Sequence, residues 1–283
     1  MTAPSGLRFG TSGIPLSTPR PGTPAGIARV RELGLDCLEM AWGNGVKMGD
    51  EMAARIRAAA QAEKIELTAH APYFVNLCGD AEVIARSEQR LFDAAQLAER
   101  CGAHSVCFHP GYYPKQDGAK ATAEVGKRLE ALAKRITSAG ITAQLRPELT
   151  GRASQLGTLD ETLTWCEAIP AIAPCLDFAH LYARGHGAVN GYDDFAEVLA
   201  AVRDRLGVEA LSRLHVHISG IEFGPAGERR HWPLRESKFR WRDVLKALKE
   251  FGAQGWVYAE TPAMEEDALL MQKTYRKMVG RTP

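Results

Sequence analysis

The sequence has 283 residues, 45% of them hydrophobic, which is enough to bury a large core. Its 35 Lys plus Arg nearly balance 34 Asp plus Glu, and this net charge of +1 excludes a global electrostatic attraction to nucleic acid or acidic membranes. The six cysteines form no C-x-x-C pair, no secretory leader precedes them, and no uncharged apolar run approaches the roughly 20 residues that cross a bilayer. We therefore expect a soluble, cytoplasmic protein with reduced thiols and no membrane contact.

Short apolar or β-rich segments alternate with amphipathic segments along the chain. The predicted strands are, in chain order, Leu7–Gly13, Cys37–Trp42, Glu66–Pro72, Ser105–Gly111, Thr142–Leu149, Pro174–His180, Ser212–Gly220 and Trp256–Pro262. Apolar residues at three- and four-residue steps predict helices between them, including Asp50–Ala62, Ala81–Arg100, Ala121–Ala139 and Trp241–Phe251. Eight strand–helix units fit one closed (β/α)8 TIM barrel, an α/β fold, as a single domain over residues 1–283.

The competing architecture is an open, doubly wound sheet. Such a sheet normally carries a Gly-rich phosphate-binding turn after its first strand. Here the corresponding turn reads Gly10-Thr11-Ser12-Gly13-Ile14-Pro15, which does not have that pattern. The barrel is therefore the favoured prediction.

Residue types that bind metals fall at the C-terminal ends of the predicted strands. They are His70, His109, Glu148, Asp177, His180, His215 and Glu260. In a barrel these ends converge on one face, where unpaired imidazoles and carboxylates would be costly to desolvate unless divalent cations bind them. Nitrogen and oxygen ligands without thiolate suit zinc best, with manganese or iron as alternatives. Because this set is too large for one tetrahedral ion, it predicts two or three ions with one bridging carboxylate.

Several segments that contain these residues are similar, in the same order, to segments of the endonuclease IV family of abasic-site DNA endonucleases. They are His70-Ala-Pro-Tyr73-Phe-Val-Asn76, Phe108-His109-Pro-Gly111, Glu148-Leu-Thr-Gly151, Leu176-Asp177-Phe-Ala-His180 and Glu260-Thr-Pro262. The resemblance implies a xylose isomerase-like barrel whose zinc ions activate a hydroxide. In that family the hydroxide attacks the phosphodiester on the 5′ side of an abasic site in double-stranded DNA.

The resemblance also implies which residues hold each ion. The expected sets are His70, His109 and Glu148 for the first ion, Glu148, Asp177, His215 and Glu260 for the second, and His180 and His231 for the third. Glu148 would bridge the first two ions, and Glu148 and Glu260 are the expected catalytic carboxylates. The family places an aspartate two residues before its last histidine. Because Arg229 occupies that position here, we expect Glu228 to complete the third site.

The expected DNA contacts lie around this centre. Tyr73 occupies the position of the aromatic residue that the family presents to the abasic gap, and Arg229 and Arg230 are expected to contact phosphates. The loop 42–47 does not resemble the family's DNA-contacting loop, which puts DNA bending in question more than metal binding. His217 points to the same side of its strand as His215, so it could support a ligand, contact phosphate or simply line the pocket. A monomer is expected.

Two other functions stay open. A single-metal sugar isomerase or epimerase of the xylose isomerase-like superfamily would need only Glu148, Asp177, His215 and Glu260. It would leave His70, His109, His180 and His231 without an evident role. The second alternative is a catalytically silent module that binds DNA or phosphate. Metal stoichiometry separates the two enzymes, because one ion per chain favours the isomerase and two or three favour the nuclease.

Overall fold

Eight parallel strands form the central sheet of the computed structural model, which describes residues 6–43, 45–114 and 118–280. The strands within these residues are β1 (Leu7–Ser12), β2 (Cys37–Ala41), β3 (Glu66–His70), β4 (Ser105–Phe108), β5 (Gln144–Pro147), β6 (Cys175–Asp177), β7 (Leu214–Ile218), β8 (Gly220–Gly224), β9 (Gly227–Trp232) and β10 (Gly255–Ala259). The sheet has the spatial order β5-β4-β3-β2-β1-β10-β7-β6, and a parallel bridge between Glu148 and Cys175 joins its two outer strands. The bridge closes the sheet into a barrel, so the predicted TIM-barrel fold is confirmed.

Helices follow the strands and cover the outside of the barrel. They are α1 (Thr23–Glu32), α2 (Asp50–Glu63), α3 (Ala81–Cys101), α4 (Gly118–Ser138), α5 (Leu159–Ala168), α6 (Phe178–Arg184), α7 (Tyr192–Leu206), α8 (Trp241–Glu250) and α9 (Glu265–Met278). On α3, the buried positions Leu91, Ala94 and Ala98 recur at three- and four-residue steps, as an amphipathic helix on a sheet requires. Among the described residues, none of the helices has the length and apolar character needed to span a membrane.

The single-domain assignment of 1–283 stays a prediction. It includes residues 1–5, 44, 115–117 and 281–283, which lie outside the described part of the chain. Residue 44 also belongs to the loop 42–47, which the sequence analysis compared with the family's DNA-contacting loop.

The sixth strand is shorter than the sequence predicts. It ends at Asp177, whose side chain accepts a hydrogen bond from the backbone N–H of His180 at 2.6 Å and so caps α6. The prediction that this strand extends to His180 is therefore wrong. His180 instead lies in the first turn of α6, directly above the barrel mouth.

The antiparallel hairpin β8–β9 after β7 was not predicted, and it carries Glu228 and His231. Its turn packs against the loop that follows β5. Gly227 has a φ of 92°, and a Cβ there would lie 2.3 Å from the carbonyl oxygen of Gly151. The backbone N–H of Glu228 donates to that same carbonyl at 2.9 Å. This close backbone contact brings the hairpin to the C-terminal face of the barrel.

Candidate metal centre

Glu148, at the C-terminal end of β5, is a carboxylate in contact with several histidines at the C-terminal face of the barrel. It is fully buried, and its Oε2 lies 3.2 Å from Nε2 of both His70 and His109. Its Oε1 lies 3.0 Å from Nδ1 of His217 and 3.5 Å from Nδ1 of His180. Both oxygens of Glu148 therefore face imidazoles. This is the arrangement expected of a carboxylate that bridges two cations.

Backbone carbonyls orient two of these rings. Nδ1 of His70 lies 2.8 Å from the carbonyl oxygen of Ala71, and Nδ1 of His180 lies 2.9 Å from that of Leu149. Because a carbonyl oxygen only accepts hydrogen bonds, each Nδ1 carries the proton. The lone pair of each neutral ring is therefore on Nε2. An Nε2 atom held in this orientation can bind a metal ion without a rotation of its ring.

The second group of ligand atoms belongs to Glu148, Asp177, His217 and Glu260, and these atoms lie within 4.8 Å of one another. His217 therefore takes the place in this group that the sequence analysis gave to His215. Strand register explains the difference, because His217 pairs with Asp177 whereas His215 pairs with Cys175, two residues deeper in the barrel. At that depth, Nε2 of His215 lies 2.8 Å from Oε2 of Glu39.

The third group brings together His180, Glu228 and His231, the residues that the sequence analysis assigns to one ion. The Nε2 atoms of His180 and His231 lie 3.4 Å apart. Glu228 places Oε2 at 3.5 Å from the first of these nitrogens and Oε1 at 3.7 Å from the second. A Cβ on Gly151 would lie 2.7 Å from Cβ of Glu228 and 3.0 Å from the His180 ring. Only a glycine at position 151 leaves room for this pocket.

Protons balance the buried carboxylates when the chain is metal-free. Burial opposes a charge on His70, but Glu148 and the more distant Glu39 and Glu260 together raise its pKa to about 10. Burial likewise opposes a charge on His180, while Asp177, Glu228 and Glu148 raise its pKa to about 9. These protons occupy positions that cations would take, since both neutralise the same carboxylates.

Several buried polar atoms of the centre have no hydrogen-bond partner within the described part of the chain. They are Nε2 of His70, Oε2 of Glu148, Oδ2 of Asp177 and Oε2 of Glu260. Nε2 of His70 and Oε2 of Glu148 lie 3.2 Å apart, so they are close without forming a well-aligned hydrogen bond. Unpaired buried polar atoms cost free energy. A divalent cation would satisfy them, and imidazole nitrogens with carboxylate oxygens are donors that fit zinc, manganese or iron.

Of the three residues predicted to contact DNA, Tyr73 lies at the rim of the centre and two arginines lie outside it. The centre opens into a cavity of about 280 Å³ lined by Tyr73, His109, Tyr112, Arg152, Gln155, His180, Glu228, His231 and Glu260. Tyr73 is 56% exposed. Arg229 and Arg230 lie on the hairpin outside the cavity lining, where each forms an exposed ion pair with Glu222. The structure thus brings Tyr73 to the metal-ligand groups and places the two arginines nearby on the surface.

The sequence analysis left two inward-facing residues unassigned. Cys107, two residues before His109, places its Sγ within 4.8 Å of the ligand atoms of His70 and Glu148. Glu39, on β2, is fully buried beneath the same groups. Alternate residues of a strand point to the same side of the sheet. The sequence alone could therefore have placed both side chains inside the barrel.

The chain is similar in sequence to a known protein family and to individual proteins of other organisms. The xylose isomerase-like TIM barrel family model matches residues 27–278. An uncharacterized protein from Methanocaldococcus jannaschii is 39% identical over 273 residues, covering 96% of this chain and 98% of that protein. A probable endonuclease 4 from Akkermansia muciniphila is 30% identical over 168 residues, which span 58% of each chain. The similarity to that endonuclease therefore covers little more than half of either protein.

Solved structures show the same fold in different enzymes. Endonuclease IV from Thermus thermophilus has a TM-score of 0.72 at 21% identity, covering 96% of this chain and 99% of that chain. The 3-keto-D-glucoside 4-epimerase from E. coli also has a TM-score of 0.72, at 14% identity and the same coverage. The fold alone therefore does not separate a nuclease from an epimerase.

The raised histidine pKa values predict that metal binding releases protons. At pH 7 His70 and His180, with pKa values of about 10 and about 9, are protonated in the metal-free chain, and a cation needs their lone pairs. Zinc titration calorimetry in buffers of different ionisation enthalpy should give more than about one proton released per chain at pH 7. The release should fall as the pH rises through 9 to 10. A buffer-independent enthalpy at pH 7 would contradict this protonation state.

Proposed function

This chain belongs to the xylose isomerase-like TIM barrel family, and we propose that it is a metal-dependent DNA-repair endonuclease that cleaves the phosphodiester 5′ to an abasic site in double-stranded DNA. The observation that carries the proposal is the position of Glu148, whose two oxygens face separate imidazole groups at 3.0 to 3.5 Å. The sequence similarity to a probable endonuclease 4 supports the same reaction.

The ligand groups exceed what one cation needs. Glu148, Asp177, His217 and Glu260 would be sufficient for a single ion, yet His180, Glu228 and His231 form a further group beside them. Burying ionisable side chains costs free energy unless they are compensated. A centre of two or three ions gives each group a partner, and phosphodiester hydrolysis commonly uses such clusters.

Each proposed ion has its own set of residues. The sets are His70, His109 and Glu148; Glu148, Asp177, His217 and Glu260; and His180, Glu228 and His231. When bound, the cations promote the ionisation of water and neutralise the charge that develops on the phosphate and on the leaving oxygen. Burial raises the pKa of Glu260, but His217 and His231 outweigh it and hold that pKa at about 2. Glu260 is therefore an anion at neutral pH and can hold positive charge at the bottom of the cavity.

The rim offers contacts for a damaged duplex. The Tyr73 ring lies with its centroid 5.3 Å from that of His70 and 6.4 Å from that of His109, and one side of it reaches solvent. It could therefore stack against a base next to the abasic gap. The ion pairs of Arg229 and Arg230 with Glu222 are exposed and contribute little stability, so DNA phosphates could replace Glu222 at small cost.

A single-metal sugar epimerase is the second candidate. It is favoured by the compact group of Glu148, Asp177, His217 and Glu260, which would be sufficient to bind one ion. The additional group around His180 argues against it. Assays on a duplex and on ketose sugars distinguish the two candidates.

Cleavage of an abasic duplex is the direct test. The zinc-loaded protein should nick a duplex that carries one tetrahydrofuran abasic analogue, leaving the break on the 5′ side of the lesion, and chelation should abolish the activity. Glu148→Gln should lose both activity and bound metal, because an amide cannot supply the charge that two cations share. Glu124→Gln, at a partly exposed position on α4 far along the chain from the ligand groups, is the matched control and should behave as the parent protein. Chelator-sensitive epimerisation of a ketose without nicking would favour the second candidate.

The ring of Tyr73 should contribute to DNA binding separately from the metals. Tyr73→Ala should weaken binding to the abasic duplex by about 1 to 3 kcal/mol, the range for lost base stacking, with metal content unchanged. Tyr73→Phe keeps the ring and should keep the affinity. Fluorescence anisotropy with a non-cleavable duplex measures both variants. Equal affinity of the alanine variant and the parent would mean that Tyr73 only lines the rim.

A further inference from the structure

Glu39 is a buried carboxylate directly behind the candidate metal centre. It lies on β2, whereas His215 and His217, which contact it, lie on β7. Nε2 of His215 is 2.8 Å from Oε2 of Glu39, and Nε2 of His217 is 3.1 Å from Oε1. Two strands separate β2 from β7 in the sheet, so these contacts cross the inside of the barrel. Ser12 adds a hydroxyl that donates to Oε1 at 2.6 Å.

The contacts determine which nitrogen of each ring carries a proton. A carboxylate accepts hydrogen bonds, so both His215 and His217 donate from Nε2 to Glu39. Nδ1 of His215 then accepts a hydrogen bond from the Ser105 hydroxyl at 3.2 Å. Burial lowers the pKa of His215 to about 4, in keeping with a neutral ring. His215 therefore serves as a donor to Glu39.

His217 faces the metal centre with its other nitrogen. Nδ1 lies 3.0 Å from Oε1 of Glu148 and 3.3 Å from Oε2 of Glu260. Without a proton or a cation between them, the lone pair of Nδ1 would face two carboxylates, which is unfavourable. With Nε2 committed to Glu39, Nδ1 is the nitrogen available to a cation.

We propose that Glu39 is a positioning residue that fixes the ring orientation and tautomer of His217, so that Nδ1 binds the cation shared with Glu148, Asp177 and Glu260. This inference rests on the proposed metal centre and adds to it a residue that touches no cation. A carboxylate that accepts the second N–H of a ligating imidazole increases its basicity, and loss of such a partner typically lowers metal affinity by about 10- to 100-fold.

The surroundings of Glu39 are suited to this role. Thr68 Oγ1 and Cys107 Sγ, each 3.4 Å from Oε2, complete its hydrogen-bond environment. Five hydrogen-bond donors, counting Ser12, His215 and His217, therefore face the two oxygens of Glu39, as a carboxylate without a proton requires. An amide could not replace it, because its NH2 group would face one of the two imidazole N–H groups.

Metal affinity of Glu39→Gln tests the proposal. Competition with a chelator should show one class of bound zinc weakened by about 10- to 100-fold relative to the parent protein. The matched control is Glu66→Gln, which alters a carboxylate on β3 that accepts from Nε1 of Trp256 at 2.6 Å. That variant changes a partly buried hydrogen bond and the ion pair of Glu66 with Arg8, leaves His217 untouched and should keep the parent affinity. Equal affinity of Glu39→Gln and the parent, or an equal loss in both variants, would overturn the proposal.

The nitrogen that binds the cation gives a second test in the unaltered protein. Long-range 1H–15N spectra of the zinc-loaded, histidine-labelled chain should show His217 with metal on Nδ1 and a proton on Nε2. This result does not depend on whether Glu39→Gln folds, and metal on Nε2 would overturn the inference. If the parent protein bound no zinc, the proposed function and this inference would both fail. Zinc bound through Nε2, together with abasic-site cleavage, would remove the inference alone.

Discussion

Burial of Glu148 between imidazoles is the constraint on which the rest of the centre depends. A fully buried carboxylate requires positive charge or hydrogen-bond donors against both oxygens, and here imidazoles face them at 3.0 to 3.5 Å. Three further carboxylates, Asp177, Glu228 and Glu260, lie around the same histidines. Protons can balance this arrangement in the metal-free chain, and divalent cations would balance it in the proposed metal centre. The metal centre and the protonated cluster are thus alternative solutions to one electrostatic problem.

The barrel supplies the rigidity that this solution needs. Side chains from strands β3, β5 and β7 reach the centre from different sides of the barrel. Residues on α6 and on the β8–β9 hairpin complete it. His180 is positioned by the cap of α6, and Glu228 is positioned by the backbone contact between the hairpin and Gly151. Carbonyl oxygens determine which nitrogen of His70 and His180 faces the cluster. Below the ligands, the barrel interior is polar at Glu39 and His215, where branched apolar side chains usually pack. Burying these polar side chains lowers the stability of the fold. Their contacts with the centre above them are the reason to expect them there.

The sequence predicted the features that depend on short-range pattern. Each barrel strand was a distinct apolar segment, and Glu148, Asp177 and Glu260 follow or end such segments, so their convergence followed from the fold. The choice between His215 and His217 did not, because both share one strand face and only the register with β6 shows that His217 is level with Asp177. The predicted strand ran on to His180 because Asp177 was not recognised as the N-cap of α6. The hairpin was missed since its pairing depends on a turn that packs against the distant residue Gly151, yet Glu228 was still proposed as the nearest carboxylate before His231.

Anomalous diffraction from crystals of the zinc-saturated protein would test the central claim most directly. The account predicts separate cation peaks beside His70 and His109, beside His217 and Glu260, and beside His180 and His231, with Glu148 bridging the first two. In the third site, an oxygen of Glu228 should lie about 2.0 to 2.2 Å from the ion. A single peak held by Glu148, Asp177, His217 and Glu260 in saturated crystals would contradict the multi-metal account and would favour the chemistry of a one-metal epimerase.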